Sequence, residues 1–255
     1  MRRFRFIVVL LCAMMAVVGC HRRPLLEPDH RAALKVKVRY DGIKNVTPGI
    51  YNDKIAVPEL HTDVLRVLFY NETGSRLLSE GFITEREVDA DGNDIVKGNV
   101  MLAPGHYRVL AYNFDTPGTF IRNEHQWESI TAFTDEIPES KYRSLSGRAG
   151  DNEHIYYEPD HLFVARDVDL YVEAHSDTKV IEMEANTIID TYYVQIRVKN
   201  LEYAASATAV LSGLSSTNAI GANTRHDDES TALYIEMQKS TDERIEDENK
   251  DVLCG

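Results

Sequence analysis

Apolar and polar residues alternate with a period of two in several stretches of this chain. In residues 34–40 (LKVKVRY) lysine or arginine separates the apolar side chains, and residues 192–199 (YYVQIRVK) repeat the pattern. Successive side chains of a strand point to opposite faces of a sheet, so this alternation predicts half-buried strands. Residues 63–70 (DVLRVLFY) are more continuously apolar, which predicts a strand that is buried on both faces.

Turn-forming residues separate these stretches from further short apolar ones. Asp-Gly at 91–92 and Pro-Gly at 104–105 predict turns between successive strands. A patch near 124–133 is compatible with a helix. Many short strands with little helix predict an all-β fold of the sandwich type. The other predicted strands are 76–83, 94–102, 106–113, 161–165, 168–174, 179–184, 207–213, 232–238 and the beginning of one at 252–255.

The predicted strands fall into two groups, which indicates two domains. The N-terminal β-sandwich domain would cover residues 32–176, and it includes a loop-rich excursion at 114–160 whose aromatic side chains pack over a sheet. The C-terminal β-sandwich domain would cover residues 177–255. Four strands are few for a closed sandwich, so we expect the second domain to be incomplete at its C-terminus in this sequence.

The first twenty residues have the pattern of a bacterial lipoprotein signal peptide. Three arginines precede an uncharged apolar run, Phe6 to Val18, which is too short to span a membrane as a helix. The run leads into Val-Val-Gly and then Cys20, and a cysteine at the first mature position is the residue that receives lipid. We therefore predict a signal peptide at 1–19, lipidation of Cys20 and a polar tether at 20–31. An ordinary signal peptide that happens to end near a cysteine is the alternative interpretation.

Composition narrows the class of partner. The chain has a formal charge of −13, and removal of residues 1–19, which hold three arginines and no acid, leaves −16. Such a surface is unsuited to phosphate backbones, so no nucleic-acid partner is expected. Of the three cysteines, Cys12 would leave with the signal peptide and Cys20 would carry lipid. Only Cys254 remains, so no intrachain disulfide is expected.

Three acidic or histidine-rich stretches were weighed as metal sites. Residues 89–94 (DADGND) resemble a calcium loop, but the sixth and twelfth positions are Asp94 and Val100 instead of glycine and glutamate, so a hairpin turn is favoured. In residues 154–161 (HIYYEPDH) a proline interrupts the spacing that zinc ligands need and no partner histidine is obvious, and Glu124, His125 and Glu128 likewise lack an obvious partner histidine. We assign no metal-binding residue.

The sequence lacks G-x-S-x-G, G-x-G-x-x-G and a phosphate-binding loop, and its many carboxylates are typical of a solvated acidic surface. We therefore assign no catalytic or cofactor-binding residue, expect no cofactor and do not expect an enzyme.

Five motifs together resemble one family. They are Cys20–Glu27 (CHRRPLLE), Asp63–Tyr70 (DVLRVLFY), Pro104–Asn113 (PGHYRVLAYN), residues 187–198 (TIIDTYYVQIRV) and Leu211–Leu214 (LSGL). This set is similar to the lipoproteins of Bacteroidales-type fimbriae, the FimB-like minor fimbrial anchor and assembly family with its uncharacterised relatives. The resemblance implies two tandem transthyretin-like Greek-key β-sandwich domains, and it implies that relatives continue past the point where this chain stops.

The resemblance also implies a function. The protein would be a palmitate-bearing lipoprotein of the outer membrane, facing the cell surface, that anchors fimbriae or assists their assembly and so serves cell adhesion. Its partners would be fimbrial subunits and, through Cys20, the outer membrane. The alternative is a surface lipoprotein that binds a glycan or a host protein through the 114–160 excursion, with Trp127 and several tyrosines as its site. Tyr156 and Tyr157 could stack on a sugar, although packing within the loop is favoured for them.

Overall fold

The computed structural model describes residues 32–40, 62–91, 93–138, 140, 154–173, 178–189, 195–226, 231–239 and 252–254. The predicted all-β class is confirmed, because the named elements in these residues are strands and one 3₁₀ helix, Leu201–Tyr203. The strands are β1 (Ala32–Tyr40), β2 (Leu65–Asn71), β3 (Leu77–Ile83), β4 (Glu85–Val88), β5 (Asp94–Leu102), β6 (Gly105–Asn113), β7 (Phe120–Arg122), β8 (Thr131–Phe133), β9 (His154–Tyr156), β10 (Phe163–Val172), β11 (Lys179–Thr187), β12 (Gln195–Arg197), β13 (Ala207–Leu214), β14 (Thr217–Ala219), β15 (Thr224–His226), β16 (Thr231–Lys239) and β17 (Val252–Cys254).

The largest sheet has eight strands in the order β3-β2-β6-β10-β11-β1-β5-β4. Its pairs are antiparallel except for β1 with β11, which run parallel. The alternation in β1 acts as predicted, since Val36 and Val38 are fully buried while Lys37 and Arg39 lie half-buried on the other face. There Lys37 pairs with Glu182 at 3.5 Å and Arg39 pairs with Glu184 at 3.1 Å, both on the neighbouring β11.

The eight-stranded sheet curls over one apolar core. β3 leads into β4 after a single residue, Thr84, so the chain passes from one edge of the sheet to the other. At this closure β5 approaches β3 so closely that a Cβ on Gly98 would lie 2.6 Å from Cγ2 of Ile83. The core includes Val36, Val38, Leu65, Val67, Phe69, Ile83, Val96, Leu102, Val109, Ala111, Phe163, Ala165, Leu170, Val172, Ile181 and Met183.

The outer face of β2, β6 and β10 is also buried. A second cluster covers it, in which Trp127, Ile130 and Ile220 pack on residues of these three strands. Two hydrogen bonds from Arg166 of β10 hold the covering loop, one to the Ile220 carbonyl at 2.6 Å and one to Asn223 Oδ1 at 3.1 Å. The predictions that residues 63–70 are buried on both faces and that the excursion packs over a sheet are therefore confirmed for the described residues.

The helix-compatible patch at 124–133 is not a helix. It consists of turns followed by β8, and β8 pairs with β7 and β14 within a four-stranded sheet of order β15-β14-β8-β7. Asn123 takes a left-handed φ of 60° just before the patch, and the following backbone bonds are local turns such as Ser129 N to Gln126 O at 3.2 Å. β-Branched residues at 130 and 131 then favour the extended chain.

The C-terminal strands form a third sheet. Its order is β12-β17-β16-β13, and β9 from the excursion adds to β16 in parallel. The strands predicted at 207–213, 232–238 and 252–255 correspond to β13, β16 and β17. The two strands predicted at 161–165 and 168–174 are instead one strand, β10, with an irregularity between Asp167 and Leu170.

The predicted start of the second domain at residue 177 stays a prediction, and strand pairing crosses that position. β11 follows that boundary, yet it lies between β10 and β1 in the first sheet. Moreover, β8 and β9 from before the boundary pair with β14 and β16 from after it. A cut at 176/177 would thus separate paired strands. In the described residues, no helix is of a length and apolarity that would let it cross a membrane.

Candidate functional site

Cys20, the only site residue that the sequence assigns, lies outside the described residues, together with the signal peptide and the tether. Its lipidation stays a prediction. Tyr142, one of the aromatic residues of the excursion, also lies outside them. The residues of the acidic and histidine-containing stretches, and Trp127, lie within the described residues.

The acidic stretch at 89–94 forms the connection between β4 and β5. The carboxylate of Asp89 accepts hydrogen bonds from the backbone of Asp91 at 2.9 Å and of Asn93 at 2.8 Å, and also from the Asn93 side chain at 2.8 Å. These bonds stabilise the ionised form, so the pKa of Asp89 lies below its usual range. The hairpin interpretation is confirmed, since this carboxylate is engaged in holding the turn.

Polar residues of the 154–161 stretch make separate contacts with other parts of the chain. His154 Nδ1 lies 2.8 Å from Glu136 Oε1, whereas the Asp160 carboxylate accepts the backbone N–H of Gly118. His161 is partly buried, and burial lowers its pKa. The described part of the chain has no group of three or more His, Cys, Asp or Glu placed to hold a metal ion.

Trp127 is a packing residue. Its side chain is 3% exposed, and its ring meets that of Tyr70 edge-on at a centroid distance of 5.6 Å. The guanidinium carbon of Arg108 lies 5.8 Å from the indole centroid on another side. A sugar therefore has no free indole face on which to stack, and this corrects the role that the glycan-binding alternative gives to Trp127.

A charged cluster that the sequence did not reveal lies beside this tryptophan. Arg66 of β2 donates to Glu80 Oε2 at 2.7 Å and to Glu124 Oε2 at 2.9 Å. The other Glu124 oxygen accepts the hydroxyl of Tyr112, and the Glu124 carbonyl accepts that of Tyr70 at 2.7 Å. Burial and the nearby Glu124 carboxylate raise the pKa of both tyrosines, which stay protonated at neutral pH. Because these partners are 12 to 58 residues apart, no local motif announces them.

The cluster reaches the surface between two aromatic rings. The Arg66 guanidinium carbon lies 5.5 Å from the ring centroid of Phe82 and 5.4 Å from that of Phe114. The two rings are themselves 5.3 Å apart, and each is about half exposed. Such cation–π contacts stabilise exposed aromatic side chains, so the group is ordered by its own members.

One open cleft of about 220 Å³ lies where the three sheets meet. Phe133 of β8, Tyr156 of β9 and Leu233 of β16 supply apolar walls, and Ile188 and Ile189 close it from the side of the first sheet. Its polar lining consists of Thr119, Thr134, Ser215, Ser216, Thr217, Asn218, Arg225 and Thr231. No sequence motif indicates it, because its lining runs from residue 119 to residue 233.

The chemistry of the cleft suits binding of a small group. Sites for whole cofactors usually have volumes of about 300–1,000 Å³. This cleft is smaller and open, with apolar walls and a hydroxyl-rich rim. Part of the rim is already engaged, since Ser215 Oγ donates to the Thr217 carbonyl at 2.8 Å. The cleft can accept one or two side chains of a protein partner.

Comparison with known proteins places these features in a family. The family model described as Domain of unknown function (DUF5119) matches residues 19–236. A Bacteroides ovatus protein named "Putative fimbrium anchoring subunit Fim4B" is 25% identical over 240 residues, which are 94% of this chain. The chain spans 62% of the length of that relative. The resemblance to fimbrial anchor proteins predicted from the five motifs is confirmed by these matches.

Solved structures share the fold. A crystal structure described as a "putative adhesin" from Bacteroides ovatus covers 92% of this chain, with a TM-score of 0.59 and 21% identity, and the match covers 69% of that protein. A second, from Bacteroides thetaiotaomicron and described among "putative polysaccharide binding proteins (DUF1812)", covers 88% of this chain and is itself covered over 70%, with a TM-score of 0.52 and 13% identity. At these identities the likeness establishes the fold alone.

Proposed function

The chain belongs to the DUF5119 family, and we propose that it is a fimbria-associated lipoprotein of the outer membrane that anchors fimbriae or assists their assembly without catalysis. The observation that carries the proposal is the alignment of 94% of the chain with the fimbrium anchoring relative. In this proposal the described strands belong to tandem transthyretin-like sandwiches, as the motif resemblance implies. The partners are fimbrial subunits, and the protein faces the cell surface.

The anchor in this proposal is lipid on Cys20. A single acyl chain binds a membrane only marginally, whereas two or more give stable attachment. Lipoprotein processing supplies several chains at one cysteine, so the anionic mature chain needs no basic patch to stay on the membrane. The match to the family begins at residue 19, immediately before Cys20, which supports inclusion of this cysteine in the family pattern.

The described side chains support a role in binding a protein partner. The ionisable groups that sequence analysis weighed as ligands hold turns and loops, as Asp89 and Asp160 do. The cleft at the junction of the sheets has the size for side chains of a protein partner. Burial of Trp127 removes the tryptophan from the glycan-binding alternative, which then depends on tyrosines such as Tyr157, so we retain fimbrial attachment as the proposed function.

The experiment replaces the chromosomal gene with the wild-type sequence, Cys20→Ala or Cys254→Ala. We expect the wild type to fractionate with the outer membrane and to keep fimbriae on the cells. Cys20→Ala should leave the membrane fraction, and fimbriae should shift into the medium, because attachment of the protein is lost while its fold is retained.

Cys254→Ala is the matched control, since it removes the other cysteine of the mature chain and should behave like wild type. Retention of Cys20→Ala in the membrane fraction would refute the lipid anchor. Unchanged fimbriae in a gene deletion would refute the fimbrial role whatever the anchor.

A further inference from the structure

The tether of residues 20–31 joins the fold at Ala32, the first residue of β1. The strand register shows which residues share that end of the curled sheet. Ala32 is paired with Leu102 at the end of β5, and Lys179 at the beginning of β11 is paired with Leu34. Tyr171 near the end of β10 is paired with His106. We call this the tether end of the sheet.

Three large apolar side chains at the tether end point away from the core. Met101, Tyr171 and Val180 are 50%, 45% and 47% exposed, whereas their chain neighbours Leu102, Val172 and Ile181 are core residues. Since side chains alternate along a strand, the three exposed ones share the outer face of the sheet.

The three residues also lie close together. Met101 is opposite residue 33 and Val180 is opposite Lys35, so they flank β1 on its two sides. Two strand spacings separate them laterally by about 10 Å. Lys179 Nζ donates to the Tyr171 carbonyl, which brings β10 beside the beginning of β11. Lys35, Met101, Tyr171 and Val180 are called the tether-end face.

The composition of this face suits a lipid surface. Tyrosine is enriched at the membrane–water boundary because its ring is apolar and its hydroxyl is wet. Lysine can lay its aliphatic stem along apolar surface while its ammonium group reaches a phosphate. The His106 ring stacks on Tyr171 at a centroid distance of 4.6 Å, which holds the phenol ring on the outer face. Acidic residues, among them Asp169 and Glu173, lie at the same end, so charge alone would not draw this face to an anionic membrane.

The tether can hold this face near the membrane, which charge alone would not do. Eleven residues lie between Cys20 and the first residue of β1, and the twelve steps of a fully extended chain across them reach about 40 Å. The tether end is therefore confined near the bilayer at a high effective concentration, where a contact too weak to bind from solution can still form.

We propose that the tether-end face rests against the phosphate-bearing surface of the outer membrane, with Met101, Tyr171 and Val180 at the lipid boundary and Lys35 directed to a phosphate. This inference depends on the proposed lipidation of Cys20. It gives the protein a defined orientation, in which the opposite end of the curled sheet, with Val88 and Phe114, points away from the membrane and towards a partner.

The test uses the full-length lipidated protein in vesicles of phosphatidylethanolamine and phosphatidylglycerol. In a Cys254→Ser background a single cysteine is introduced by Val180→Cys or by Val88→Cys, and each is labelled with a polarity-sensitive fluorophore. Val88 is the matched control, since it is also an exposed strand valine, 65% exposed, and pairs with Asp94 at the opposite end. We expect brominated phospholipid to quench the label at position 180 and to leave position 88 unchanged.

Equal quenching at both positions, or none at either in protein that floats with the vesicles, would overturn the orientation while leaving the anchor intact. A blue-shifted label at position 180 without quenching would show that protein covers the face, and it would also overturn the inference. Failure of the Cys20 protein to float, with behaviour equal to Cys20→Ala, would refute the lipid anchor and the inference with it.

Discussion

Trp127 is the only tryptophan of the chain, and its burial makes a prediction about a single residue. Trp127→Ala should lower the free energy of unfolding by about 3–5 kcal/mol, because it empties a packed site between Tyr70 and Arg108. Urea denaturation followed by circular dichroism measures the change. The reference protein is the Cys20→Ala variant, which avoids interference from lipid.

Phe120→Ala is the control for this prediction. Phe120 belongs to the same excursion, and its ring centroid lies 5.6 Å from that of Phe133, but Phe120 is 39% exposed. Phe120→Ala should therefore lower the free energy of unfolding less than Trp127→Ala does. If Trp127→Ala unfolds at the reference urea concentration and instead loses binding on a glycan array, the packing role is wrong and the glycan-binding alternative is favoured.

At the scale of single residues, the sequence predicts the burial of aromatic side chains better than it predicts which charged side chains pair. The aromatic side chains of the excursion were expected over a sheet, because a large apolar side chain needs cover wherever it lies. The Arg66 and Glu124 pair was not foreseen, since 58 residues separate the two and only the fold brings them to 2.9 Å. Glu124 was weighed only with its sequence neighbours as a metal ligand.

The contact between β3 and β5 makes a prediction at the scale of elements. Gly98→Ala should destabilise the protein by about 1–3 kcal/mol, since its Cβ would lie 2.6 Å from Ile83 Cγ2 and 3.2 Å from Ile83 Cα. Thermal unfolding by calorimetry measures the loss. The backbone of β3 would have to move to accommodate the methyl group, because the nearest atoms include main chain.

Gly81→Ala is the matched control on the facing strand. Its Cβ would meet only the side chain of Val100, with Cγ2 at 3.4 Å and Cγ1 at 3.9 Å, which is ordinary contact, so little stability should be lost. Equal melting temperatures for the two variants would show that β3 and β5 do not approach as closely as the structure indicates.

Among the elements, long strands could be predicted from the sequence more readily than short ones. β1, β2, β5 and β6 have seven or nine residues, long enough for alternation or a continuous apolar run to show. β7, β8, β9, β14 and β15 have three residues each and were missed, because three positions cannot establish a period. Since β8, β9 and β14 border the cleft, the cleft was missed with them.

At the scale of the whole molecule, the partner of each strand was the hardest feature to predict. Alternation shows that β11 has a buried face, but it does not show that this face joins the first core. The parallel pairing of β1 with β11 places Leu34 opposite Lys179, although strands β2 to β10 lie between them in the sequence. The predicted boundary at 176/177 lies between strands that pair with each other, and the sequence pattern around that boundary does not show this pairing.

This pairing predicts how fragments of the chain fold. A fragment of residues 32–176 should not unfold cooperatively, because loss of β11 removes Ile181 and Met183 from the core and separates β10 from β1. A fragment of residues 32–189 restores β11 and should regain a cooperative transition by circular dichroism. Its stability should stay below that of the Cys20→Ala chain, since Ile220 no longer covers the outer face. A cooperative transition of the 32–176 fragment at the melting temperature of the longer one would show that β11 is dispensable, and the original boundary would then stand.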